Sequence, residues 1–326
     1  MNSGRKKIML VAVLMVSLSA SLFFAGKKTF SFSNKTNEQQ ISPIVNASKN
    51  QDVISILFVG DMMFDRYIRQ VSEKHGYPFL FQKIESMLKG NDLVLGNLEG
   101  PITDKLSISI DSKMGEKDNY IFTFDSKSAQ ALANENIKLV NIGNNHITNF
   151  GSTGIESTRN YLIRSGVDFF GDPEKSNKRM AFKNIKGLKI AFVNYNQFVS
   201  NGEQKTLDDI SKAKALGADE IIIYTHWGTE FVDTPDQKIR NLAHEFIDYG
   251  ADLIIGSHPH VIQSKEEYKG KVIYYSLGNF IFDQYFDSRT QEGLAVKVQI
   301  DLKYNKMSFA EYKIEMKNNG QSSNLQ

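Results

Sequence analysis

From Val53 onward the chain repeats one unit: a short run that is apolar throughout, then a polar residue, then a helix-like stretch. The runs "VISILFVG", "DLVLGNLE", "KLVNIGNN", "VDFFG", "LKIAFVNY", "EIIIYTHW", "DLIIGSH" and "KVIYYSLGNF" read as strands. "LAVKVQIDL" and "SFAEYKIEM" read as a hairpin around "KYNK". A strand that is apolar on both sides needs cover on both sides, so helices must pack against the sheets. Helical spacing appears over residues 79–89, 126–135, 153–164 and 207–216. The clearest helix starts near Asp233 and Thr234 with Pro235 in its first turn, carries Ile239, Leu242, Ala243, Phe246 and Ile247 on one stripe, and stops at Gly250. Such alternation predicts an α/β layered domain.

The polar residues able to do chemistry stand just after these strands: Asp61, Asn97, Glu99, Asn144, Asn145, His146, His226, His258, His260, Asn279 and Asp283. In α/β folds the carboxyl ends of strands form the ligand crevice, so loops far apart in sequence can converge there. Four of the six histidines occupy such exits. "GSHPHV" presents His258 and His260 two apart, an arrangement that on an extended segment aims both rings to one side. Cysteine is absent, so a metal would be held by N and O donors alone. Asp61, Glu99, Asn145, His226, His258 and His260 form a mixed donor set suited to one or two ions of Mn²⁺, Zn²⁺ or Fe rather than Ca²⁺. Ions in such a set lower the pKa of water and clamp a phosphoryl or carbonyl oxygen. His146 is then expected as general acid and Arg66 as the cation facing a developing oxyanion, with Asn97, Glu230, Asn279 and Asp283 turned toward substrate. His75 and His244 are read as surface rings, and Trp227 as packing or a pocket wall.

Upstream, Arg5, Lys6 and Lys7 precede an uncharged stretch from Ile8 to Gly26 that is about long enough to cross a bilayer core. Residues 1–28 are read as a single-pass signal anchor that places the rest outside the cytoplasmic membrane. Ser17, Ser19 and Ala20 offer a weak cleavage pattern, which leaves a secreted form as the alternative. Residues 29–52 read as a polar linker, 53–316 as the domain and 317–326 as a disordered tail. With 39 basic and 37 acidic residues, the net charge of +2 gives no reason to expect a nucleic-acid partner.

The blocks "GDMMFDR", "NLEGP", "NNHITNFG", "THWGTEF", "TPDQKIRNLAHEFIDYGADLIIGSHPHVIQ" and "SLGNFIFDQ", in that order, resemble the CapA family of capsule or poly-γ-glutamate synthesis proteins. That family in turn resembles metallophosphatases of the calcineurin-like superfamily. The resemblance implies a four-layer α/β/β/α metallophosphatase-like sandwich on a membrane anchor, acting with membrane polymer-synthase subunits on an anionic polymer or a phosphoester. It implies that Asp61, Asn145, His226, His258 and His260 are metal ligands, that His146 is catalytic, and that Glu99 stands where a bridging aspartate is common. Three positions depart from the pattern. Met63 replaces a ligand histidine, Asn149 replaces an aspartate after "NNH", and Asp65 stands where glycine is common. The functions to be weighed are a metal-dependent hydrolase or transferase, and a non-catalytic binding or assembly subunit with a degenerate phosphatase pocket.

Overall fold

The computed structural model describes residues 52–325, so the expected anchor (1–28) and nearly all of the expected linker (29–52) lie outside the described residues. Among the described residues no helix is long and apolar enough to cross a membrane. In chain order the elements are β1 (Val53–Met62), α1 (Arg66–His75), α2 (Tyr77–Phe81), α3 (Glu85–Lys89), β2 (Leu93–Leu98), α4 (Lys127–Asn134), β3 (Ile137–Asn141), α5 (Gly151–Arg164), β4 (Asp168–Phe170), β5 (Met180–Ile185) and β6 (Leu188–Asn196). They continue with α6 (Gly202–Ala215), β7 (Glu220–His226), α7 (Gln237–Tyr249), β8 (Leu253–Ser257), β9 (Lys265–Tyr268), β10 (Lys271–Tyr274), β11 (Asn279–Ile281), β12 (Glu292–Asp301), β13 (Lys306–Met316) and β14 (Ser322–Leu325).

Two mixed sheets result. The first runs β14-β13-β12-β1-β2-β3-β4 with β11 added against β1, and the second runs β5-β6-β7-β8-β10-β9. Their inner faces meet through Ile56, Phe58, Leu95 and Leu139 on one side and Phe192, Ile222, Tyr224 and Ile255 on the other. The alternate residues of the same strands face outward. Leu57, Val59, Val94 and Val140 pack on Ile68, Leu80, Leu132 and Leu162 from the helices of the first half. Val193, Ile223 and Ile254 pack on Ile210, Leu242 and Phe246 of α6 and α7. Burial on both faces is why the strands read as unbroken apolar runs rather than as an alternation.

Several boundaries differ from the sequence reading. The helix expected over 79–89 breaks in two, and Lys83 between the halves bridges to Ser323 of β14. The expected disordered tail is therefore ordered at 322–325, where β14 pairs antiparallel with β13. α1 was not anticipated because its ten residues offer few apolar positions and bury Arg69, whose Nε donates to Asp65 Oδ1 at 3.1 Å. The start of α7 lies later than expected. Asp236 is its N-cap, accepting from the Ile239 N–H at 2.8 Å, and Pro235 falls outside the helix. Gly250 (φ 111°) terminates it in the left-handed conformation that glycine favours.

At the far end of the second sheet, Glu220 is buried beside Asp252 and Lys271. Burial pushes its carboxyl up to about 7, Asp252 adds to the rise, and Lys271 opposes it. An acid whose pKa is raised on folding stabilises below its unfolded value, about 4.5, and that contribution is lost as pH climbs through the folded value. Thermal melts should therefore show the domain losing roughly 1–2 kcal/mol between pH 4.5 and 8 from this group, after a discount for its partial solvation. Glu220→Gln should flatten that slope; an unchanged slope would remove Glu220 as its source.

Candidate metal centre

The register of the first sheet aligns four polar side chains across adjacent strands. Asp61 of β1 lies opposite Asn279 of β11 and Asn97 of β2, and Asn97 lies opposite Asn141 of β3. The second sheet supplies a matching row, Asn196, His226 and Ser257, from β6, β7 and β8. Asn97 Nδ2 donates to Asp61 Oδ1 at 2.8 Å, while Asn97 Oδ1 accepts from Asn141 and Asn144 at 3.1 and 3.0 Å. Asn194 Nδ2 donates across from β6 to Asn141 Oδ1 at 2.9 Å, which ties the two sheets at this end. β11 reaches its place only because side chains are absent on its path. A Cβ on Gly60 would lie 2.0 Å from Gly278 O, and one on Gly293 would lie 1.7 Å from Asn279 O.

Hydrogen-bond partners fix two imidazole tautomers, those of His260 and His146. His226 Nδ1 lies 3.1 Å from Ser257 Oγ, whose proton goes to Thr225 O at 2.8 Å, and 3.3 Å from Asn97 Nδ2, while His226 Nε2 faces Asn145 Oδ1 at 2.9 Å. Asn279 spends its amide N–H groups on Thr290 O and Gln284 Oε1, so its Oδ1 accepts from His260 Nδ1–H at 3.0 Å and His260 Nε2 is bare. Asn149 Oδ1 accepts from the Phe122 N–H, which turns the same oxygen to His146 Nδ1 at 3.2 Å beside Tyr120 O at 3.1 Å. His146 Nε2 is bare in turn.

His258 and His260 are not presented by an extended segment, as the sequence reading had it. Their φ values are 97° and 58°, in the left-handed region, and their ring centroids lie 6.1 Å apart. The loop is held there from both sides, by the His258 N–H donating to Asp61 Oδ2 at 3.1 Å and by Pro259 O accepting from the Phe231 N–H at 2.9 Å. Backbone strain of this kind persists where surrounding contacts over-determine it.

Potential ligand atoms face the space between the two rows. His226 Nε2 and Asn145 Oδ1 stand 2.9 Å apart, and His260 Nε2 lies 3.5 Å from Glu99 Oε1. Two ligands about 2.1 Å from one ion and at right angles to each other are about 3 Å apart, so this spacing suits a shared cation. Glu99 Oε1 and His258 Nδ1 are buried without any hydrogen-bond partner, and orphans of that kind are costly unless something positive meets them. Three overlapping sets bring ligand atoms within 4.8 Å of one another: Glu99, His226 and His258; Asp61, Glu99 and His260; and Glu230, His258 and His260. The residues fit a divalent ion.

Electrostatics agree. Burial holds His226 well below the usual imidazole range, lowers His258 to about 3 and His146 to about 4, so these rings are neutral at pH 7 and free to coordinate. Burial raises the Glu99 carboxyl well above its usual range, with Asp61 and Glu230 adding to the rise.

The family model for the bacterial capsule synthesis protein PGA_cap matches residues 55–284, most of the chain. The chain belongs to the PGA_cap family. Its relatives include the PGA biosynthesis protein CapA of Bacillus subtilis (strain 168), 33% identical over 273 residues that cover 78% of this chain and 70% of that one. Another is the capsule biosynthesis protein CapA of Bacillus anthracis, 29% identical over 283 residues, covering 80% and 67%. Among solved structures, TT1561 of Thermus thermophilus superposes with a TM-score of 0.45 at 12% identity, over 79% of this chain and 98% of that one.

In this PGA_cap chain the six expected metal residues do come together, but other assignments change. Asn97 and Asn279 are wholly buried and do not face substrate; they hold Asp61 and His260. Asp283 is likewise withdrawn, since its carboxylate accepts from Arg66 and from the Tyr67 N–H at 3.1 Å. Arg66 is correspondingly committed, bonded to Asp283 and to Asn119 Oδ1 at 3.0 Å and lying over the rings of Phe122 and Phe282. His146 presents a bare Nε2, so in this state it accepts a proton rather than donating one, contrary to the general-acid expectation. Glu230, expected at the substrate, lies within ligand reach of two histidines. Met63 is in the core, where its Sδ accepts from the Asp65 N–H, and Asp65 is buried and takes the Thr123 N–H at 2.7 Å. His244 is not a free surface ring, because it bonds Glu266 at 2.6 Å and stacks on Tyr268. Trp227 is a packing residue whose Nε1 donates to Tyr275 O. The sequence reading passed over Ser257 as a functional position, although its place directly before His258 at a strand end was a usable signal.

Proposed function

We infer that this PGA_cap protein is an accessory of capsule or poly-γ-glutamate synthesis whose metallophosphatase-like pocket holds divalent metal and hydrolyses or transfers a phosphoester or γ-glutamyl amide bond. It works outside the cytoplasmic membrane, anchored through residues 1–28, beside membrane polymer-synthase subunits. The family and the names of the Bacillus relatives support the biological role. One observation carries the chemistry: a buried space lined by the rings of His146, His226, His258 and His260, an amide oxygen and two carboxylates, with two of the buried polar atoms orphaned.

Asp61, Glu99, Asn145, His226, His258 and His260 would hold the ion, which supplies positive charge to polarise a phosphoryl or carbonyl oxygen. Around it the chain's own groups have separate tasks. Ser257 and Asn279 lock the rings of His226 and His260. His146, its Nδ1 pinned by two carbonyl oxygens, offers Nε2 as a proton acceptor 3.9 Å from Glu99 Oε1. Phe198, half-exposed, sets an edge against the His258 ring at 4.9 Å and restricts water on that side.

The test is metal content and turnover of the full-length chain in detergent. Protein stripped with a chelator and reloaded with Mn²⁺ or Zn²⁺ should retain at least one ion per chain by elemental analysis and cleave a generic phosphodiester or polyglutamate. Reloaded protein without metal would end this reading. Metal without turnover on either class would favour the assembly-subunit role instead.

A further inference from the structure

We propose that the cavity between α2 and α4 is a docking pocket for a partner protein, and that it takes a bulky apolar side chain flanked by lysine or arginine. This cavity lies away from the metal centre. Glu135, in its wall, stands just before Ile137, where β3 begins, whereas the last residue of that strand, Asn141, belongs to the polar row at the site.

The cavity encloses about 400 Å³ between the end of α1, α2 and α4. That volume is ample for a large side chain and its neighbours. Tyr77, Pro78 and Phe81 form one apolar wall and Ala131 faces them from α4. What charge the lining has is mostly negative, with Glu73, Asp125 and Glu135 against Lys127.

Two buried polar atoms in these walls have no partner among the described residues. Tyr77 is 9% and Glu135 6% exposed, and neither Tyr77 Oη nor Glu135 Oε2 makes a hydrogen bond. Ser72, also in the lining, spends its hydroxyl proton on Arg69 O at 2.9 Å and so gives Tyr77 none. Lys89, whose charge reaches Glu135, is bonded to Glu85. Burial raises the Glu135 carboxyl accordingly. An orphaned carboxylate oxygen is costly, and a donor carrying positive charge removes that cost where an apolar group or an anion does not. The lining therefore selects a ligand with two parts: an apolar body for the walls and an ammonium or guanidinium for Glu135. The acidic character also continues outside the cavity. Glu73 is exposed at its edge, and Arg69 comes only within 3.9 Å of it because that guanidinium is bonded to Asp65. A chain segment with more than one basic residue meets both acids, which an isolated small cation cannot do.

The test uses a short capped peptide of alternating phenylalanine and lysine, labelled for fluorescence anisotropy, with the full-length chain in a non-ionic detergent. The peptide should bind saturably, and its counterpart with glutamate for lysine should not. Glu135→Gln should weaken the lysine peptide at least about 10-fold, the loss expected when a charged hydrogen bond becomes a neutral one. Ala131→Leu, which fills the cavity, should abolish binding. Lys127→Ala, at an exposed position, should tighten binding about 2-fold by removing a like charge. No saturable binding, equal binding of both peptides, or an affinity unmoved by both Glu135→Gln and Lys127→Ala would overturn the proposal. Saturable binding of phenethylamine without the peptide would overturn it as well, since the cavity would then belong to a small organic cation.

Discussion

His226→Ala should lower the affinity for Mn²⁺ or Zn²⁺ by at least about 100-fold, measured by titration calorimetry on the full-length chain. Loss of residues that merely orient ligands costs about 10- to 100-fold, and His226 is itself a ligand candidate with its Nε2 2.9 Å from Asn145 Oδ1. Ser257→Ala, which leaves the ring in place but removes the hydroxyl beside its Nδ1, should cost about 10-fold by the same rule. The ordering matters more than either figure. Equal affinity in wild type and His226→Ala would mean that His226 Nε2 meets Asn145 Oδ1 for some reason other than a cation.

Gly60→Ala should be among the most damaging single-methyl changes near the site. The added Cβ would sit 2.0 Å from Gly278 O, and that carbonyl already accepts from the Asp61 N–H at 3.0 Å. Neither strand can yield cheaply, because Asp61 is opposite Asn279 on one side and Asn97 on the other. A cost of about 3 kcal/mol or more is expected, which is roughly 6 °C in Tm for a domain of this size. Metal affinity should fall with it, since pushing β11 away moves Asn279 off His260. A Tm within about 1 °C of wild type would show that the strands do not approach so closely.

The contrast between these two residues shows what could be read from the chain alone. His226 announced itself: an imidazole at the end of "EIIIYTH" has few structural reasons to be there, and the other strand exits repeated the message. The strand pattern, the hairpin around "KYNK" and the stripe of α7 were legible for the same reason, because burial on a given face dictates residue type at a given spacing. Gly60 and Gly278 gave a weaker signal, because a close approach of two strands depends on a partner far away along the chain. "KVIYYSLGNF" concealed more still. It reads as one strand, yet its first half pairs in the second sheet as β10 and its last residues cross to the first as β11, and apolar residues suit both environments equally. Asn97, Asn279 and Asp283 were placed correctly at the site and given the wrong task. A strand exit determines where a polar side chain is, whereas its hydrogen-bond partners, contributed by other strands, determine whether it meets solvent or a neighbour.

The centre is built half from each sheet, with Asp61, Glu99 and Asn145 on one and His226, His258 and His260 on the other. Elsewhere the two halves of the sandwich adhere mainly through non-directional apolar packing. An ion at this end would act as a clasp on that seam, resisting separation by RT ln(1 + [M]/Kd) and growing tighter as free metal rises. The same atoms would then govern how easily the fold opens at its mouth, and sequestering metal in the surroundings would loosen the protein.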